Sequence, residues 1–499
     1  MLLNPPTSAA ILSLPDEILA LIFRLVSCIP TSFPIFQRDL LSLTHVCARW
    51  RHLALTSGEL WALLTIFFPI TEQELIRARE WIHRSNTYPL TIVIDLRDPD
   101  WDFNEESHPV KQFEMQAMMG VILPASERWR EVKISADNWG PLHVFLSHTQ
   151  NISVPLLQSI HLMRCNPYFA APNQVFVPSI LRTLLPLFGG LELDKLTSVE
   201  LEGVHVDWTS PALRGLTRLS LGYHAKDITP TLTQFRDLLN SCPEVESFTL
   251  TGWGPRIDET SSPAGELQRF RASITLPRLR NLEIGVMIPT YAVNVLSLLV
   301  VPSLESLTID DISRYDPQTL ARPDLGPIFD FLAEQTSSFH SSAISIHHLS
   351  TLAVMNLDPG DISLHRFLQS AQNLRVLHIR NCTATALYAL APSSIGNPSQ
   401  HLDQLYVEGC DTNVLIHVVW SRKAAIYRSM NVNFQLDANN SQFPLPPDTA
   451  SQFQQLNIKV IPFNPTKDRH WRSYEVDDSE ALVSAILEER WDVAGAVMQ

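Results

Sequence analysis

Glycine is scarce in this chain. Only 17 of 499 residues are glycine, and none falls in a phosphate-cradling loop of the dinucleotide or P-loop type. No G-x-S-x-G turn is present, which excludes hydrolases that raise a serine on such an elbow. Cysteine is sparse and scattered: Cys28, Cys47, Cys165, Cys242, Cys382 and Cys410. No two have metal-ligand spacing and no disulfide framework emerges, so a reducing, intracellular compartment is expected. Basic residues are in deficit, 37 Lys and Arg against 52 Asp and Glu, for a net charge of −15. Phosphate binding needs clustered cations, so nucleic acid is not an expected partner. Acidic runs at Asp95–Glu106 and Glu475–Glu489 read as solvated surface.

Long hydrophobic runs are missing too. The most apolar, Tyr291–Val301, ends at Pro302 and is too short for a bilayer, so it reads as a buried helix. The N-terminal MLLNPPTSAA has no basic region and does not resemble a signal peptide. His347 and His348 are adjacent, and His143 and His148 lack a carboxylate or thiol at useful spacing. No metal, cofactor or catalytic residue is therefore expected, and the chain does not read as an enzyme.

What is present is a folded chain, 45% hydrophobic, with a mean hydropathy of +0.03. Its most informative stretch is Leu14–Trp61. It runs LPDEILALIFRLV, then a loop, then DLLSLTHVCARWRHLA, then ELW. Ser13 and Asp16 have capping-box spacing around Pro15, and Asp16 and Glu17 suit the positive end of a helix dipole. Ile18, Leu19, Ile22, Phe23 and Val26 form a stripe at helical spacing. Asp39 reads as the N-cap of a second helix, whose apolar face is Leu40, Leu43, Val46 and Cys47. Trp50, Leu53 and Ala54 continue that pattern. Helices this short need packing partners, and leftover apolar surface on so small a unit points to a protein ligand.

The ordered Leu-Pro, amphipathic helix, Asp-Leu-Leu, Val-Cys, Arg-Trp-Arg and Leu-Trp resemble the F-box. The resemblance implies that this segment binds a Skp-type adaptor, and through it a cullin. The residues it implicates are Leu14, Pro15, Ile18, Leu19, Ile22, Phe23, Leu40, Leu43, Val46, Trp50, Leu60 and Trp61. Some of them must form the segment's own core instead. One departure is a long, two-proline linker between Val26 and Arg38.

After this segment a degenerate motif recurs: apolar, two variable, apolar, one variable, apolar. It appears as Trp129-Val132-Ile134, Leu157-Ile160-Leu162, Leu196-Val199-Leu201, Leu216-Leu219-Leu221 and Val245-Phe248-Leu250. It continues as Leu279-Leu282-Ile284, Leu304-Leu307-Ile309, Leu349-Leu352-Val354, Leu374-Leu377-Ile379 and Leu402-Leu405-Val407. Two apolar residues flanking one variable residue point to one side of a short strand. Stacked in parallel, such strands make a leucine ladder, as in leucine-rich repeats. Helices are expected at Thr233–Cys242, Leu325–Gln335, Ile362–Ala371 and Leu415–Lys423, and the longest gap, between Leu304 and Leu349, with a Pro-rich stretch and then SSFHSSAISIHH, reads as an insertion loop. Helix Arg77–Pro89 should precede an alternating strand, LTIVIDL. Trp208, Trp253 and Trp420 either pack over repeat edges or, if exposed, anchor a protein ligand.

The expected fold is α+β. A three-helix F-box-like domain leads into an irregular α/β leucine-rich-repeat solenoid, a curved parallel sheet with helices on its convex side. The expected order is a flexible N-terminus (1–11), the helical domain (12–68), a linker helix (69–87), the solenoid (88–460) and a segment with an acidic capping helix at Asp477–Val497 (461–499). The whole resembles the large fungal set of F-box proteins with divergent leucine-rich repeats. It implies a substrate-recognition adaptor of an SCF-type ubiquitin ligase that binds an unknown target protein. The alternative is a repeat scaffold with no ligase role. Neither membrane nor cofactor enters either reading.

Overall fold

The computed structural model describes residues 11, 14–28, 33–98, 112–165, 174–257, 263–313, 323–334, 344–392, 397–425, 430–435 and 447–461. These form two compact units. One runs to Cys165 and includes Leu193–Leu196; the other holds 174–192 and everything from Thr197. Among the described residues no helix is long and apolar enough to cross a membrane. The Asp477–Val497 helix expected from sequence lies outside the described residues.

The first unit opens with α1 (Asp16–Cys28), α2 (Phe33–Val46) and α3 (Ala48–Thr56), then a 3-10 turn at Gly58–Trp61. Strands β1 (Leu63–Phe67), β2 (Leu90–Asp95), β3 (Trp129–Ala136) and β4 (Ser159–Arg164) follow. Helices α4 (Glu72–Arg84), α5 (Gln112–Ile122) and α6 (Trp139–His148) connect them. Adjacent strands pair in parallel, so Leu64, Ile92, Val132 and Ile160 form one rung and Ile66, Ile94, Ile134 and Leu162 the next. All eight are buried.

The sequence places a purely helical domain at 12–68 and a linker helix after it. Instead, Leu63–Phe67 is the outer strand of this sheet, and α4 closes its free edge. Carbonyls on an edge strand need donors. Trp81 Nε1 donates to the Leu63 carbonyl (3.0 Å) and Arg77 Nη2 to the Thr65 carbonyl (2.6 Å).

The second unit carries ten strands of one parallel sheet: β5 (Ser198–Glu202), β6 (Arg218–Gly222), β7 (Ser247–Thr251), β9 (Asn281–Val286), β11 (Ser306–Asp311), β12 (Thr351–Met355), β13 (Val376–Arg380), β14 (Gln404–Glu408), β15 (Asn431–Gln435) and β16 (Ile458–Ile461). β8 (Ile274–Thr275) and β10 (Leu299–Val300) pair separately. Helices α7 (Leu232–Asn240), α8 (Pro263–Phe270), α9 (Pro289–Leu296), α10 (Gly326–Glu334), α11 (Asp361–Ser370), α12 (Ala384–Tyr388), α13 (Thr412–Ala425) and α14 (Pro447–Leu456) fill the intervals. Register is unbroken: Val199, Leu219, Phe248, Leu282, Leu307, Leu352, Leu377, Leu405, Val432 and Ile458 are successive partners. Every one is buried.

A left-handed residue follows six of these strands: Gly203, Tyr223, Gly252, Asn356, Asn381 and Gly409. Asn tolerates this conformation better than most residues. The Asn side chains also tie the strand ends together. Asn356 Nδ2 donates to Asp310 Oδ1 (2.6 Å), and Asn381 Nδ2 to Asn356 Oδ1 (3.2 Å).

Two expectations change here, and the alternative left open for the tryptophans divides. The Tyr291–Val301 helix ends at Leu296, where Ser297 caps it, and Leu299–Val300 forms a strand instead. In the expected insertion loop, Ile344 and Ile346 are buried and the Ser345 N–H donates to the Val301 carbonyl; residues 335–343 lie outside the described set. Trp208 and Trp253 are core residues, set edge-on to His224 and Tyr291, while Trp420 is 64% exposed.

Candidate partner-docking surface

The N-terminal helices owe their arrangement to two kinds of residue. Leu19 and Phe23 of α1 point inward with Leu40 of α2 and Trp50 and Ala54 of α3. The Phe23 and Trp50 rings meet at 4.9 Å. Burying a side chain of this class stabilises by about 1.5–3 kcal/mol. Leu60 and Trp61 continue the core. The Trp61 indole donates to the Ala54 carbonyl (2.8 Å) and lies edge-on to Trp81 at 4.6 Å, with the Arg84 guanidinium 4.5 Å over its ring.

Polar contacts start and join the helices. α1 starts at Asp16, just after Pro15, and Ser13 lies outside the described residues. α2 begins at Phe33, so Asp39 lies within it and is not its N-cap. Pro34 is tolerated in that first turn because the missing N–H would have no helical partner there. The second apolar run is also not one helix. Cys47 is extended, and its thiol accepts from the Trp50 N–H (3.5 Å), which starts α3 afresh. From α3, Arg49 reaches the start of α1, while Arg24 of α1 pairs with Glu59 at 3.2 Å.

The twelve residues that the sequence assigns to a partner surface therefore divide. Leu19, Phe23, Leu40, Trp50, Leu60 and Trp61 are buried within their own unit. Leu14, Ile22 and Leu43 are half-buried, and Pro15, Ile18 and Val46 are exposed. Two residues that the sequence reading omits join them. Leu21 (45% exposed) and Leu25 (59%) share a helix face with Ile18 (43%). The signal was the i, i+3, i+7 spacing of Ile18, Leu21 and Leu25. It was hidden because the inner stripe of α1 has the same chemistry. An aliphatic row of this kind on a surface helix is characteristic of helix-in-groove or helix-bundle docking.

The sheet face of the second unit opposite its ladder is polar. Arg380 and Glu408 are register partners and pair at 2.9 Å, and the rings of His378 and Tyr406 stack at 4.6 Å. Burial and the neighbouring Asp310 push the Glu283 carboxyl up to about 7. Elsewhere, burial lowers His224 to about 4 and Arg422 to about 10. Arg422 is held by the carbonyls of Leu390, Pro398 and Ser399. Cys47, Cys165, Cys242, Cys382 and Cys410 form no disulfide with one another.

No curated protein matches the chain. Its helical N-terminal segment does match a known family: residues 11–78 carry an F-box-like domain.

Proposed function

We propose that this protein is the substrate-recognition adaptor of an SCF-type ubiquitin ligase. One observation carries the reading: the F-box-like segment turns the aliphatic row Ile18, Leu21 and Leu25 outward while Leu19 and Phe23 hold the core. F-box domains generally bind Skp-type adaptors. In this reading the row, with Pro15, Val46 and the half-buried Leu14, Ile22 and Leu43, docks the adaptor, which brings the cullin. The six buried residues shape that face from beneath.

The second unit is, on this proposal, a divergent leucine-rich-repeat array of the kind found in fungal F-box proteins. The unbroken register of its ladder and the left-handed residue after six strands support this. Its polar sheet face would receive the target protein. The chain would do no chemistry of its own. It would raise the local concentration of target lysines near a recruited conjugating enzyme, inside the cell.

The test is binding of the full chain to a purified Skp-type adaptor. Leu21→Asp with Leu25→Asp should weaken binding at least about tenfold, because charge enters the centre of the interface. Phe113→Asp, at an exposed position near the start of α5, should leave it unchanged. A folded wild-type chain that ignores the adaptor would overturn the proposal in favour of a scaffold outside the ligase.

A further inference from the structure

We propose that Arg49 is a positioning residue for adaptor docking: it fixes the Leu14-Pro15 corner in the direction the docking face requires. This rests on the reading of α1 as the docking helix. The α1 N–H groups of Ile18 and Leu19 both turn to the Pro15 carbonyl. The Leu14 carbonyl, one residue earlier, takes its hydrogen bond from Arg49 Nη2 on α3 (2.5 Å). Pro15 has no N–H of its own, so it offers no backbone donor to hold this corner.

The same guanidinium also grips the first residue of the helix. Arg49 Nε lies 2.9 Å and Nη2 2.7 Å from Asp16 Oδ1. One rigid planar group therefore ties the residue before Pro15 to the residue after it. Lysine, with a single ammonium, does not reproduce that fork.

The lock adds little to folding. Both side chains are well exposed, and exposed ion pairs contribute little stability. The core of Leu19, Phe23 and Trp50 persists without it. Its effect falls on the direction of Pro15 and of half-buried Leu14. Without Arg49 that corner samples several directions, and docking must order it again. The cost appears in affinity and not in the melting temperature.

The experiment uses the full chain and a purified Skp-type adaptor, with calorimetric binding and thermal unfolding for each variant. Arg49→Ala should weaken binding about five- to tenfold, the equivalent of ordering one short segment, with the unfolding midpoint nearly unchanged. Arg49→Lys should recover only part of the loss. Asp16→Asn keeps the Leu14 bond and should weaken binding less than Arg49→Ala. Wild-type affinity in Arg49→Ala overturns the inference alone. A loss of affinity matched by a loss of fold in both Arg49→Ala and Asp16→Asn also overturns it, because the residue is then structural. Absence of binding by the folded wild-type chain defeats the docking reading itself.

Discussion

At the scale of single residues, the strand ends impose the tightest constraints. Gly409 has φ +62°, and a Cβ there would sit 1.9 Å from Asn381 Oδ1. That Asn381 side chain is already committed to Asn356. Gly409→Ala therefore meets both backbone strain and a collision. It should destabilise the second unit by about 1–3 kcal/mol, measured by denaturant unfolding. Glu283 is constrained by burial, and then by the neighbouring Asp310. Its folded-state carboxyl titrates near 7, above its ordinary value of 4.5. The folded state thus holds the proton more tightly than the unfolded one. Its contribution to stability is full below pH 4.5 and is lost as pH rises through about 7. Glu283→Gln should raise the unfolding midpoint at pH 8, by the equivalent of about 1–2 kcal/mol after allowance for solvent screening, and change little at pH 4.5. An equal shift at both pH values would show that the carboxyl is not held neutral by its surroundings.

At the scale of elements, the repeated triplets were legible because each pairs a turn anchor with two inward side chains. All ten fall on strands in the expected phase. β15 escaped because the position three before Val432 is Ser429, so the anchor is missing. β1 escaped because LLTIF follows directly on the apolar GELWA turn, which reads as part of the helical domain. The break between α2 and α3 at Cys47 was equally silent, since the apolar pattern runs straight through it. The docking surface was legible as a segment but not as a face. Eight of the ten residues Ile18–Ser27, all but Arg24 and Ser27, are apolar, so α1 offers no phase from which to separate inner from outer. Only packing against Trp50 decides that Phe23 turns in.

At the scale of the whole molecule, the F-box-like segment is not a detachable bead. Trp61 closes against Trp81 and Arg84, and a side chain at Gly58 would strike the Ser85 carbonyl at 2.9 Å. A fragment ending at residue 68 loses those contacts and exposes the Trp61 face. It should lack cooperative unfolding, whereas a fragment ending at residue 165, the limit of the first unit's continuous stretch, should retain it. Near-UV circular dichroism through a thermal ramp distinguishes the two. At the other end, α14 turns Ser451, Gln452, Gln454 and Gln455 to solvent and keeps Phe453 inside. Among the described residues α14 is the last helix.

The seal on β1 also has a meaning in time. Arg77 and Trp81 lie only 12 and 18 residues beyond the carbonyls they cover. A growing chain therefore emerges from the ribosome with everything needed to close its first edge before β2 is complete. From then on, new strands can add only on the opposite side.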